Sequence, residues 1–122
     1  MTNWRAVFIG FGVILVLGLV GMILPGLGQL VAGLVGGFVA GYLADGGLFS
    51  GFWHGLLAGS LGAIVLGVIL AIVLSVVGLS LGPIGGLVGG LAGIGTLVAV
   101  AIITFIAAID SGVGGAIGGV LT

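Results

Sequence analysis

Four side chains in this sequence could carry charge-based chemistry: Arg5, Asp45, His54 and Asp110. A nucleophile, a base and an orienting group would be needed for hydrolysis or acyl transfer, and neither cysteine nor a carboxylate pair inside an apolar stretch is present to form such a set. No catalytic residue is therefore assigned, and the sequence reads as that of a non-enzyme. His54, Asp45 and Asp110 are numerous enough to hold a metal, but they lack the short His and carboxylate spacings that make such sites specific. They read instead as groups solvated at a membrane interface, with no metal and no cofactor implied. The formal net charge of −1 gives no basis for binding nucleic acid.

The intervals between the charges define the elements that position them. Between Arg5 and Asp45 lie 39 uncharged residues, and between His54 and Asp110 another 55. As helix these runs measure roughly 58 Å and 82 Å, against a hydrocarbon core of about 30 Å, so each is long enough for two crossings. The chain is 61% hydrophobic and 2% charged, whereas soluble domains carry about 25% charged residues, so lipid is its solvent. A transmembrane barrel would alternate apolar with lumen-facing polar residues, which are missing here. The apolar run from Ala6 to Leu24 exceeds a signal-peptide core of about 7 to 15 residues and has no small-x-small cleavage pattern, so it reads as a retained span.

Pro25 and Pro83, each beside glycine, mark two reversals, and Asp45 to Gly51 reads as a third turn. The resulting fold class is an all-α membrane protein, a single domain with four transmembrane helices arranged as two hairpins. The spans fall near 4–24, 28–44, 52–78 and 83–109, followed by a glycine-rich tail, 111–122, that is too short to cross. This layout puts Trp4, Arg5, Asp45, Trp53, His54 and Asp110 at one interface and all nine aromatic residues in the adjacent half of the bilayer. The positive-inside rule, resting on Arg5, assigns that face and both termini to the cytoplasmic side of the cell membrane. Each half begins with Trp4-Arg5 or Trp53-His54 and ends at Asp45 or Asp110, a weak internal repeat.

Thirty glycines carry the packing signal. Gly33, Gly37 and Gly41 recur every fourth residue, as do Gly55, Gly59, Ala63, Gly67, Ala71 and Ser75, and then Gly82, Gly86 and Gly90 beside Gly85, Gly89 and Gly93. In lipid, where burying leucine drives little association, such small-xxx-small rows let helix backbones approach closely. The rows on spans two, three and four predict a tight core with the first span at its periphery. They serve internal packing or, on one face, a homo-oligomer. Gln29 shares a row with Gly33 and reads as an amide satisfying carbonyls near the Pro25 turn. Ser60, Ser75, Thr96 and Thr104 read as bonding back along their own helices.

The stretch from Gly28 to Ala44, followed by Trp53-His54-Gly55-Leu56-Leu57-Ala58-Gly59 and preceded by Asn3-Trp4-Arg5-Ala6-Val7 and Leu24-Pro25-Gly26, resembles a family of short archaeal multi-pass membrane proteins. That family carries only a domain-of-unknown-function label. The resemblance implies membrane location and an archaeal, haloarchaeal source, and supplies no activity, ligand or catalytic residue. The partners expected are membrane lipid and either further copies of the chain or other membrane subunits. Two roles stay open: a structural, complex-forming helical unit, or a small channel or carrier for an uncharged or weakly charged solute.

Overall fold

The computed structural model describes residues 2–122, with Leu66 and Leu70 described by backbone alone. Four helices follow one another: α1 (Trp4–Gly21), α2 (Leu27–Ala44), α3 (Gly47–Ser80) and α4 (Pro83–Val120). All four are long and apolar enough to cross a membrane.

Local chemistry sets most of their ends. Asn3 caps α1, its Oδ1 accepting from the Ala6 amide at 3.3 Å. Gly26 enters α2 with φ +83°, a conformation that admits glycine readily, so α2 starts after the Pro25-Gly26 pair. Asp45 closes α2 in the left-handed region, and Gly47 at φ +83° opens α3. At the other reversal Gly82 has φ +102°, and Pro83 occupies the first position of α4, where its missing N–H costs nothing.

Two boundaries depart from the sequence reading. The segment Gly47 to Gly51, expected in a loop, forms the first turn of α3, because the reversal is completed by Asp45 and Gly46. The expected tail, 111–122, is instead the end of α4, which stays helical through Asp110-Ser111 to Val120. At about 1.5 Å per residue α3 and α4 reach roughly 51 Å and 57 Å, more than one upright crossing of about 30 Å requires.

The chain divides into two compact units, residues 2–62 with 105–122 and residues 63–104, so that α3 and α4 each contribute to both. In the first unit α1 and α2 run antiparallel. A Cβ on Gly10 would meet the Ala40 Cβ at 2.5 Å and the Gly36 carbonyl oxygen at 2.7 Å, and Gly21 and Gly28 meet backbone to backbone. Val7, Ala40 and Ala58 form a buried cluster flanked by Ile14, Leu57 and Leu61. The first span is therefore not peripheral: Ala6, Val7 and Gly10 bury one turn of α1, which is enough small surface to seat it.

The end of α4 enters this unit alongside α2 and α3. Gly37 faces the Ser111 carbonyl, Gly41 the Gly115 carbonyl, Gly114 the Leu34 carbonyl and Gly118 the Phe38 carbonyl. From α3, a Cβ on Gly55 would lie 2.9 Å from the Gly115 Cα, and one on Gly51 2.8 Å from the Gly119 Cα. These are contacts between main chains, so no side-chain rotation can make room for a larger residue.

In the second unit Gly67 faces Val100, Gly78 faces Gly85 and Gly89, and Gly93 faces Ser75. The working row of α4 here is Gly85, Gly89 and Gly93. A Cβ on Gly86 would meet the Leu79 side chain at 2.8 Å, and one on Gly90 would have nothing within 4 Å.

Gly59→Leu and Gly67→Leu are each expected to lower stability in detergent by about 1 to 3 kcal/mol through overpacking, whereas Val16→Leu, at a residue 63% exposed, should change little. Equal thermal transitions for the three variants would contradict the packing described.

Candidate functional site

Two polar clusters lie in the first unit. The first gathers around His54, which is only 3% exposed. Helix α3 points the imidazole toward the start of α1, where Nε2 accepts a hydrogen bond from the Asn3 amide at 2.8 Å. Nδ1 lies 2.7 Å from the Ser50 carbonyl oxygen and donates to it, with the Ser50 hydroxyl further away at 3.4 Å. A carbonyl only accepts and an amide N–H only donates, which fixes the neutral tautomer protonated on Nδ1. His54 thus fastens α1 to α3 instead of standing solvated at an interface, and both ring nitrogens are committed to main chain.

Around it, the Asn3 side-chain amide reaches the Leu43 carbonyl at 3.4 Å, and the Trp53 indole N–H reaches the Thr2 hydroxyl at the same distance. Thr2, Phe49, Ser50, Trp53 and His54 line an open groove of about 440 Å³. Trp4 is exposed and tilts against Phe8 with ring centroids 6.2 Å apart; Arg5 and Asp45 are exposed as well. Arg5, which follows Asn3, and Asp45, which follows Leu43 and Ala44, thus lie near the His54 end of the unit.

Asp110 does not. Its carboxylate oxygen Oδ2 lies against Gly33, the seventh residue of the eighteen in α2, while the adjoining Ser111 faces Gly37. That level is about 16 Å along α2 from Ala44 and about 9 Å from Leu27, so the expected shared interface of Asp110 with Asp45 fails. The reason is the extra helix: ten residues of α4 follow Asp110 and bring α4, not Asp110, to the Asp45 end.

Ser111, absent from the sequence reading as a site residue, is fully buried and donates its hydroxyl to the Gly55 carbonyl at 2.7 Å. The row Ser111, Gly115, Gly119 was the available signal, since it repeats the four-residue spacing of the other packing rows. Of the remaining polar residues, Gln29 donates to the Gly18 carbonyl of α1 at 3.1 Å. Ser60, Ser75 and Thr96 bond back to the carbonyl four residues earlier, each at 2.8 Å. Thr104 departs from that pattern, its buried hydroxyl finding no partner among the described residues.

Chemically, the site offers one neutral, fully bonded imidazole and one carboxylate set apart from it. Among the described residues no three His, Cys, Asp or Glu side chains converge on a point where a metal ion could sit.

No curated protein and no solved structure matches the sequence. Residues 4–121 match the family of unknown function DUF5518, a span that takes in all four helices, His54 and Asp110. The chain belongs to the DUF5518 family.

Proposed function

We propose that the protein is a non-enzymatic structural unit of the archaeal cell membrane, built as two helical hairpins, which packs with itself or with the subunits of a larger membrane complex. The observation that carries this reading is the main-chain contact of α2, α3 and α4 at Gly37, Gly41, Gly51, Gly55 and Gly115. In lipid, small residues at such positions hold helices together where apolar burial cannot. The exposed rim of the same helices is leucine, isoleucine and valine, suited to lipid or to another membrane helix. Gly90, open on the outside of α4, suits an intermolecular contact of the same kind. A non-catalytic role fits an imidazole whose two nitrogens are both taken by main chain.

Native mass measurement of the protein in lipid nanodiscs, followed by flux assays on the same sample, tests the proposal. A defined assembly without flux supports it, and solute flux by the purified chain would replace it with the channel or carrier reading.

The orientation reading places both termini and the α2–α3 turn on the cytoplasmic side. Single cysteines at Thr2, Leu48 and Thr122 are then expected to label from one side of sealed vesicles. Labelling of Thr2 and Leu48 from opposite sides would exclude the two-hairpin topology. The purified protein is also expected not to conduct ions in planar bilayers, because helical carbonyls are already bonded along their helices and cannot replace an ion's hydration. Reproducible single-channel currents abolished by Gly37→Leu would make the glycine interface a pore.

A further inference from the structure

Asp110 is a partly exposed carboxylate of α4 whose Oδ2 lies against Gly33 of α2. Within the first unit ten helical residues of α4 follow it, about 15 Å, and the Gly33 that it meets is six residues, about 9 Å, from the start of α2. Its carboxylate oxygens lie only three bonds beyond Cα, a shorter reach along the helix than that of a lysine or arginine. Arg5, the one Lys or Arg, follows Asn3, whose side chain touches the Leu43 carbonyl; it therefore lies near the Ala44 end of α2, about 15 Å from the Gly33 level. His54 is held at that same end by Asn3 and Ser50. Tyr42 and Asp45 on α2 are near that end too, whereas the carboxylate lies against Gly33.

An ionisable residue at such a depth pairs with a partner or marks a functional path. We propose that the Asp110 carboxylate is the docking point for a second, different polypeptide: a transmembrane helix with a lysine or arginine near its middle. The inference rests on the membrane-unit reading and names the kind of partner that unit takes.

The surroundings favour a protein cation over a free one. A sodium or divalent ion needs several oxygen ligands, whereas Asp110 is a single carboxylate, the neighbouring carbonyls are bonded within helices, and among the described residues no group of three His, Cys, Asp or Glu forms around it. Ammonium and guanidinium groups bring their own donors and need only one carboxylate to receive them. A second copy of this chain does not supply that group, because its Arg5 is at a helix start.

Asp110 also occupies the edge of the buried face of α4. One turn away on either side, Ile106 and Val113 are exposed, while Gly114 is packed under Leu34 of α2. Across the seam, Leu30 and Leu34 are themselves partly exposed. A helix laid along this apolar seam would bring its central side chain to the half-buried carboxylate.

The test uses the full chain in phosphatidylcholine vesicles with labelled synthetic leucine-alanine helices of about 20 residues. One has lysine at its centre and the other leucine, and association is read by energy transfer. The lysine helix is expected to bind at least tenfold more tightly. Asp110→Asn, nearly identical in shape, should abolish that preference, and Asp45→Asn should leave it intact. Equal binding of the two helices, or a preference that survives Asp110→Asn, overturns the proposal.

A hydrophobic carbodiimide, which adds to protonated carboxyl groups, supplies a second readout. Bound lysine helix is expected to protect Asp110 from it. Full modification with the lysine helix at saturation would show a protonated acid without a cationic partner and likewise overturn the proposal. Cysteines at Thr2, Leu48 and Thr122 in the same vesicles report insertion. With insertion intact, a negative result strikes the docking inference alone, whereas failure to insert overturns the membrane reading and the inference together.

Discussion

Gly37→Leu is expected to cost about 3 kcal/mol or more of stability, and Gly90→Leu to cost nothing measurable, although both replace a glycine inside a long apolar helix. A Cβ on Gly37 would fall on the Ser111 carbonyl and lie 2.7 Å from the Ser111 hydroxyl oxygen, whereas one on Gly90 would meet no atom within 4 Å. Overpacking typically costs 1 to 3 kcal/mol when neighbouring side chains can shift. At Gly37 the obstacle is the main chain of α4, whose displacement would also strain the Ser111 to Gly55 hydrogen bond that joins α4 to α3. A series of alanine, valine and leucine at position 37 should therefore fall steeply in thermal stability in detergent. The same series at position 90 should stay level, and a shallow series at position 37 would remove Gly37 from the packed interface.

The second large effect is expected at His54. His54→Ala should cost about 2 to 4 kcal/mol, since it removes a buried ring together with the acceptor of the Asn3 amide and the donor to Ser50. The loss should be local before it is global, because Asn3 both donates its amide to His54 and caps α1 through Ala6. Amide exchange over residues 3–8 is expected to rise by at least tenfold in His54→Ala while the end of α4 changes less. In the unaltered protein, nitrogen NMR of the imidazole should find the proton on Nδ1. A proton on Nε2, or unchanged exchange at the start of α1, would break the link drawn between His54 and α1.

The two reversals at Pro25-Gly26 and Gly82-Pro83 are legible in the sequence because proline removes a donor and glycine admits positive φ, both properties of single residues. The start of α1 and the end of α2 are nearly as local. Asp110-Ser111 misleads for the same local reason: it has the composition of a helix cap, and only the Gly55 carbonyl, 56 residues away, shows what the serine hydroxyl does. Without that contact Asp110 looks terminal, and its depth is invisible.

The glycine rows show a similar limit. Spacing identifies Gly85-Gly89-Gly93 and Gly86-Gly90 equally well, since adjacent rows on a helix share one period. The position of α3 decides which row is used, and that depends on contacts at long range. His54 was visible as a residue beside Trp53, but its burial follows from Asn3 arriving from another helix.

The placement of the end of α4 between α2 and α3 also sets an order of events during synthesis. Ser111 follows its contact Gly37 by 74 positions in the chain. At a translation rate of about 5 to 20 residues per second, that separation lasts roughly 4 to 15 s. Through that interval α2 has been made while the helix that fills its glycine face has not, and exposed main chain must be shielded by lipid or by an insertion factor. Mutations near Gly115 should then reduce yield in the cell before they alter the finished protein, through clearance of nascent chains left waiting for their last helix.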